Sequence, residues 1–140
     1  MVKTFIECQK DGLVKSELPD INEAHALMDK AEKRLKYLLL RPIEEEFTEL
    51  AFENAYESIR EAGIALMSVG GYKPMSHEAV LAYLAEHEQV SPADISTLDR
   101  FRRLRNKSMY EAQKIPLSRA KEAADFAQKM VAVLKNRLRV

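Results

Sequence analysis

Apolar residues recur along this chain at intervals of three and four. In LPDINEAHALMDKAEKRLKYLLLRP, the residues Ala24, Leu27, Met28, Ala31, Leu35 and Leu38 share one side of a 3.6-residue period, which predicts an amphipathic helix ended by Pro42. A second helix is predicted from about Ile43 to Val69. Glu44, Glu45 and Glu46 would occupy its first turn, where negative charge suits the helix dipole, and Gly70 and Gly71 would stop it. SHEAVLAYLAEHE predicts a shorter third helix behind a Ser76 cap, with Val80, Leu81 and Leu84 on one side. A fourth should start near Pro92, since Ser91, Pro92 and Asp94 are a cap, a first helical position and an acidic capping partner. Pro116 separates it from a fifth, where Ala123, Phe126, Ala127, Met130, Val133 and Leu134 form another apolar stripe. The basic end of this last helix, Lys135, Arg137 and Arg139, suits a C-terminus. No segment alternates convincingly with period two. The expectation is an all-α protein, an up-and-down bundle of four to five helices joined by short connections.

A chain of 140 residues, 46% of them hydrophobic, has the size and apolar content for one core, so residues 1–140 are expected to form a single domain. Its one cysteine, Cys8, can neither close an internal disulfide nor build a cysteine metal cluster, which fits a reducing compartment. Apolar runs such as Tyr37 to Leu40 are far too short to cross a membrane, and the first residues lack a continuous apolar signal segment. A cytoplasmic location without membrane attachment is the resulting expectation.

Net charge is zero, yet it is unevenly distributed. Residues 1–99 hold 10 basic and 19 acidic side chains, and residues 100–140 hold 12 and 3. Such asymmetry suits either a polyanion-binding end or acidic helices set against basic ones. The basic excess is densest where Arg100, Arg102, Arg103, Arg105 and Lys107 fall within eight residues. At 100° per residue, Leu98, Phe101, Met109 and Ala112 share one face of this fourth helix within roughly 60°, and Arg105 falls in the middle of it. An arginine on an apolar stripe must reach a boundary or serve an interface, because an unpaired buried charge is costly. A polar flank runs beside that face: Asp99, Arg103, Asn106 and Tyr110, with Arg102 between the two. Asp99 with Arg103, and Asn106 with Tyr110, have the spacing of local pairs. The same groups also suit a groove in which arginine and asparagine hold phosphate and base edges and tyrosine stacks.

The segment RLRNKSMYEA, followed by a proline-marked turn and an alanine-rich last helix, resembles the HEPN superfamily of helical bundles, whose motif is an arginine and a histidine separated by four to six residues. The likeness extends to the order of helices over most of the chain. It implies Arg105 and Asn106 as catalytic-groove residues and Tyr110 at the position of the histidine. Arg102, Arg103 and Lys107 would supply electrostatic attachment to RNA. HEPN ribonucleases act without metal, with motif residues of two protomers meeting across a dimer interface, so the resemblance implies a homodimer, an RNA partner and no cofactor. Tyrosine ordinarily titrates near pH 10 and is a poor general base at neutral pH, so cleavage should be weak or lost. Some relatives are toxins paired with a nucleotidyltransferase antitoxin that modifies a tyrosine two residues past the histidine. Ala112 stands there, so that regulation is not implied, although a nucleotidyltransferase-type partner is. The alternative is a catalytically inactive, dimeric interaction module.

Other candidate chemistry is sparse. His25, His77 and His87 lack zinc-ligand spacing and have no cysteine companions. GGYKP lacks the spacing of a phosphate-binding loop and is expected to be a helix stop followed by a turn.

Overall fold

The computed structural model describes residues 2–138. Its fold is all-α, a bundle of helices, and each of the five expected helices is present. The chain opens on a short additional helix, α1 (Phe5–Lys10), closed at its start by a capping box between Thr4 and Glu7. Strand β1 (Val14–Ser16) follows, and then α2 (Ile21–Leu38), whose Asp20 side chain accepts from the Glu23 N–H. Helix α3 (Thr48–Gly70) leads into strand β2 (Tyr72–Pro74). Helices α4 (His77–His87), α5 (Pro92–Glu111) and α6 (Leu117–Arg137) complete the order.

Two local expectations are corrected. The second long helix begins at Thr48 rather than near Ile43. Pro42 to Glu44 lie outside regular structure and Glu45–Phe47 make one 3-10 turn, so the acidic residue in the first turn of α3 is Glu49. The other correction is a pair of strands where none was expected. β1 and β2 are antiparallel, with Val14 opposite Pro74 and Ser16 opposite Tyr72. Three residues are too few for an alternating pattern to register, and the partners are too far apart in sequence for a hairpin turn to announce them. Gly71 stops α3 as expected, in a left-handed conformation at φ 84°. A Cβ there would stand 2.9 Å from the Glu17 carbonyl oxygen, so the β1 side presses directly on this turn.

The long helix α3 is the centre of the bundle. It is buried on several faces, through Phe52, Tyr56, Ile59, Leu66 and Met67 among others. Antiparallel α2 lies along it, fixed near one end by Ser68 Oγ donating to the Asp20 carbonyl and near the other by Arg34 Nε at 2.8 Å from Glu61 Oε1. The carboxylate of Glu61 is buried, so this pair gains from the additional Lys30 ammonium at 3.3 Å. Helix α4 comes close to α3 at Gly63. A Cβ on that glycine would meet Val80 Cγ1 at 2.7 Å and Leu84 Cδ1 at 3.4 Å, so the two helices approach as nearly as they do only because a hydrogen stands there.

Helices α5 and α6 run antiparallel, with Phe101 between Phe52 of α3 (5.5 Å between centroids) and Phe126 of α6 (5.6 Å). Only the first half of α5 enters the core. Ile95, Leu98, Asp99 and Phe101 are buried, and no residue of the helix beyond Phe101 is. The expected apolar face therefore ends earlier than its periodicity suggests. Met109 is 47% exposed, and Ala112 is exposed and terminates the helix at φ 52°. Among the described residues, no helix is long and apolar enough to cross a membrane.

Candidate functional site

The half-buried middle of α5 faces the start of α4 and the middle of α3. Helix α3 contributes Tyr56, Glu57 and Arg60, which fall within five residues and so lie along about one turn. Tyr56 is 1% exposed, and its Oη stands 3.0 Å from His77 Nδ1. The two rings are within 4° of parallel, with centroids 5.7 Å apart. His77 is the first residue of α4, directly after the Ser76 cap, where a helix end carries partial positive charge.

Burial is the main influence on both rings. It raises the Tyr56 phenol well above the usual tyrosine range, so this O–H stays protonated and is available to donate. It lowers His77 to about 4; Arg60 and Arg105 push in the same direction, Glu57 opposes them and Arg102 adds to the lowering. At neutral pH the ring is an uncharged imidazole. An imidazole nitrogen is a better acceptor than a phenol oxygen, so Tyr56 donates to Nδ1 and the ring proton resides on Nε2. Among the described residues every buried side-chain nitrogen or oxygen has a hydrogen-bond partner. Nε2 of His77 has none, so it is not fully buried and keeps its N–H free to donate.

The arginines around this pair differ in how they are engaged. Arg60 Nε donates to Glu57 Oε1 at 2.6 Å. Asp99 is 5% exposed and holds two arginines, with Arg102 Nη2 at 2.9 Å on Oδ1 and Arg103 Nη2 at 3.2 Å on Oδ2. Arg100 is bound to Glu122 of α6 at 2.8 Å. Arg105 differs from all of them. It is half-buried and, among the described residues, no carboxylate lies within ion-pair distance of it; its hydrogen bond is a long one, 3.4 Å, from Nη1 to Asn106 Oδ1. Three of the five cations that stand out in sequence are thus held by two carboxylates, Asp99 and Glu122, which offsets part of the basic density within the fold. Part of the wider charge asymmetry is also absorbed between helices, where Lys129 meets Asp94 and Lys135 meets Glu32.

Of the residues singled out from sequence, Arg102, Arg105 and Asn106 are half-buried on the inner side of α5, and Arg102 and Arg105 exert their charge on Tyr56 and His77. Arg103 is exposed and shares Asp99 with Arg102. Lys107 is exposed. Tyr110 is 76% exposed and takes part in none of these contacts, and the hydrogen bond that its spacing allowed with Asn106 is not formed. Tyr56, Arg60 and His77 were not singled out as site residues, and His77 was considered only against zinc spacing. They come from two further helices, and no local signal ties them to α5. The GGYKP segment lies elsewhere: Tyr72 packs edge-on against Phe5 at 5.0 Å, in an aromatic group with Tyr83 and His87.

Chemically, the arrangement offers an N–H donor with cations around it, with Glu57 and Asp99 already engaged by arginines. That set can receive an oxyanion. As a proton-abstracting site it is poor, because the lone pair of Nδ1 is occupied by the phenol and Nε2 carries the proton. No family model matches this chain, and no curated protein matches it.

Proposed function

We propose that this protein is an RNA-associated, HEPN-like domain, ribonuclease-related with weak or lost metal-independent cleavage, whose groove between α3, α4 and α5 binds the phosphodiester backbone. One observation carries the reading: Arg105, half-buried and without a carboxylate, sets an uncompensated cation beside the Tyr56–His77 pair. Such a cation is stabilised by a bound anion, and a planar guanidinium grips phosphate oxygens in a fork. The resemblance of RLRNKSMYEA to the HEPN motif supplies RNA as the source of that phosphate. Arg102 and Asn106 are the neighbouring contacts, and Arg103 and Lys107 provide attraction from the exposed flank.

Fluorescence anisotropy with a short labelled oligoribonucleotide, in chelated buffer at low salt, tests this. Binding should weaken steeply as salt rises, and Arg105→Ala should reduce affinity by about tenfold, the cost of one good charged contact. Binding undetectable at low salt, or unchanged by Arg105→Ala and by Arg102→Ala with Arg103→Ala, overturns the reading.

A second reading is a catalytically inactive dimeric module that docks a partner, such as the nucleotidyltransferase of a toxin–antitoxin pair. It is favoured by an exposed apolar cleft of about 340 Å3 lined by Tyr37, Leu40, Ile43, Phe47 and Leu50. Phe47 and Leu50 are 47% and 58% exposed, which is unusual for a patch with no role in contact. A strictly monomeric mass across the micromolar range, unchanged by Leu50→Glu, removes the homodimer from both readings.

A further inference from the structure

We infer that His77 is itself a ligand-contacting residue of the groove, donating from Nε2 to a bound phosphodiester oxygen, and that anion binding there makes the ring easier to protonate. The inference rests on the anion-binding reading above and adds to it a residue, a donor atom and a linked proton. Three observations carry it. His77 Nδ1 is fixed by Tyr56 Oη at 3.0 Å and the rings are parallel, so the imidazole has one orientation. Nε2 has no hydrogen-bond partner among the described residues and is not fully buried. The charges around the ring are predominantly positive.

Those charges come from each side of the ring. Helix α3 supplies Arg60 and, opposing it, Glu57, beside the neutral Tyr56. Helix α5 supplies Arg102 and Arg105, with Asp99 engaged by Arg102 and Arg103. Within α4 the next residue is Glu78, whose charge acts on Lys3 and Cys8 towards the chain start. In the free protein, burial and the arginines keep the ring neutral. A phosphodiester carries one negative charge and offsets what the arginines impose, so the ring protonates more readily in the complex while burial still opposes its charge. The proton comes from solvent and binds Nδ1. The Tyr56 hydroxyl then turns from donor to acceptor, and Nε2–H keeps its hold on the phosphate oxygen. No covalent bond is made or broken.

The sign is that of any group whose pKa is higher in the complex than in the free protein. Affinity rises as pH falls through the midpoint of the complex and levels off below that of the free protein, near 4. Each unit by which binding raises the midpoint is about a tenfold gain in affinity.

Oligouridylate is the suitable probe, since uracil does not take up a proton in acid. Ring nitrogens of the 15N-labelled full chain are followed by NMR from about pH 3 to about pH 8, a range that spans the free midpoint near 4 and the usual histidine range, with and without saturating oligouridylate and, separately, inorganic sulfate. The expected result for the free protein is a neutral ring with the proton on Nε2, and in the complex a midpoint raised by at least about one unit, read as at least about tenfold in linked affinity. His77→Gln should keep the salt dependence of oligouridylate binding and lose the excess pH dependence of the wild type. Tyr56→Phe, which keeps the stacked ring and removes the hydroxyl, should release the ring to a mixture of tautomers. Oligouridylate that binds with the expected salt dependence while the His77 midpoint stays in place overturns this inference and leaves the anion-binding reading standing. Absence of oligouridylate binding removes RNA as ligand; the inference then survives for an oxyanion if sulfate raises the midpoint, and falls if it does not.

Discussion

Tyr56 and His77, 21 residues apart, stack within 4° of parallel and share a hydrogen bond of 3.0 Å at the junction of α3 and α4. This pair ties the α4 start to α3 beside the arginines of α5. It also keeps a histidine uncharged at neutral pH, and stability should record that. The His77 pKa falls from 6.5 unfolded to about 4 folded, so the unfolded chain binds the proton more readily between those values. The contribution to stability is fully present above about pH 6.5 and is lost as pH falls through about 4. From pH 7 to pH 5 the wild type should lose on the order of 1 kcal/mol more than His77→Gln, after allowance for solvent screening at the partly open ring. Urea midpoints of the two proteins at the two pH values measure the difference.

Gly63 sets the distance between the helices that carry the pair. A Cβ there stands 2.7 Å from Val80 Cγ1. Gly63→Ala gains roughly 1 kcal/mol of helix propensity, yet overpacking of a close helix crossing costs about 1–3 kcal/mol. A net loss of about 1 kcal/mol in urea unfolding is expected. Adding Val80→Ala makes room for the new methyl, so the double variant should be more stable than the sum of the two single effects.

Asp99 is the buried anchor for Arg102 and Arg103. Asp99→Asn removes its charge from two charge-assisted contacts and should cost about 1–3 kcal/mol in thermal or urea unfolding. It also frees two guanidinium groups. Where oligoribonucleotide binds, the slope of log affinity against log salt should therefore steepen in this variant, and an unchanged slope would mean that Arg102 and Arg103 do not reach the backbone.

Tyr110 occupies the position at which the HEPN motif has its histidine, yet it is 76% exposed and apart from the Tyr56–His77 contacts. Tyr110→Phe should change stability by less than about 0.5 kcal/mol, as for most surface substitutions. It should leave oligoribonucleotide affinity within about twofold, in contrast to the roughly tenfold loss at Arg105→Ala. Anisotropy titrations of the two variants side by side decide this; a large loss at Tyr110→Phe would bring the tyrosine into the groove.

Much of the architecture could be read from short segments. Ser91, Pro92 and Asp94 announced α5 because a cap, a proline and an acidic partner each act on backbone groups within one turn; Ser91 Oγ accepts from the Asp94 N–H at 3.2 Å. The Thr4–Glu7 capping box was equally local, but α1 has only six residues, too few for apolar periodicity to mark it. Glu44 to Glu46 misled for the opposite reason. Acidic residues after a proline suit a helix start, but they do not decide at which residue the helix begins.

Local backbone chemistry and the 3.6-residue repeat determine the helices, because their signals lie within a few residues of one another. Those signals also placed Arg105 on the face of α5 that turns inward. The environment Arg105 meets was decided by tertiary structure alone. Asp99 engages Arg102 and Arg103, Glu122 engages Arg100, and Arg105 is left beside a histidine 28 positions earlier in the chain. Charge compensation and burial depend on which helices pack together, and side chains brought together from three helices leave no periodicity in the sequence to be read.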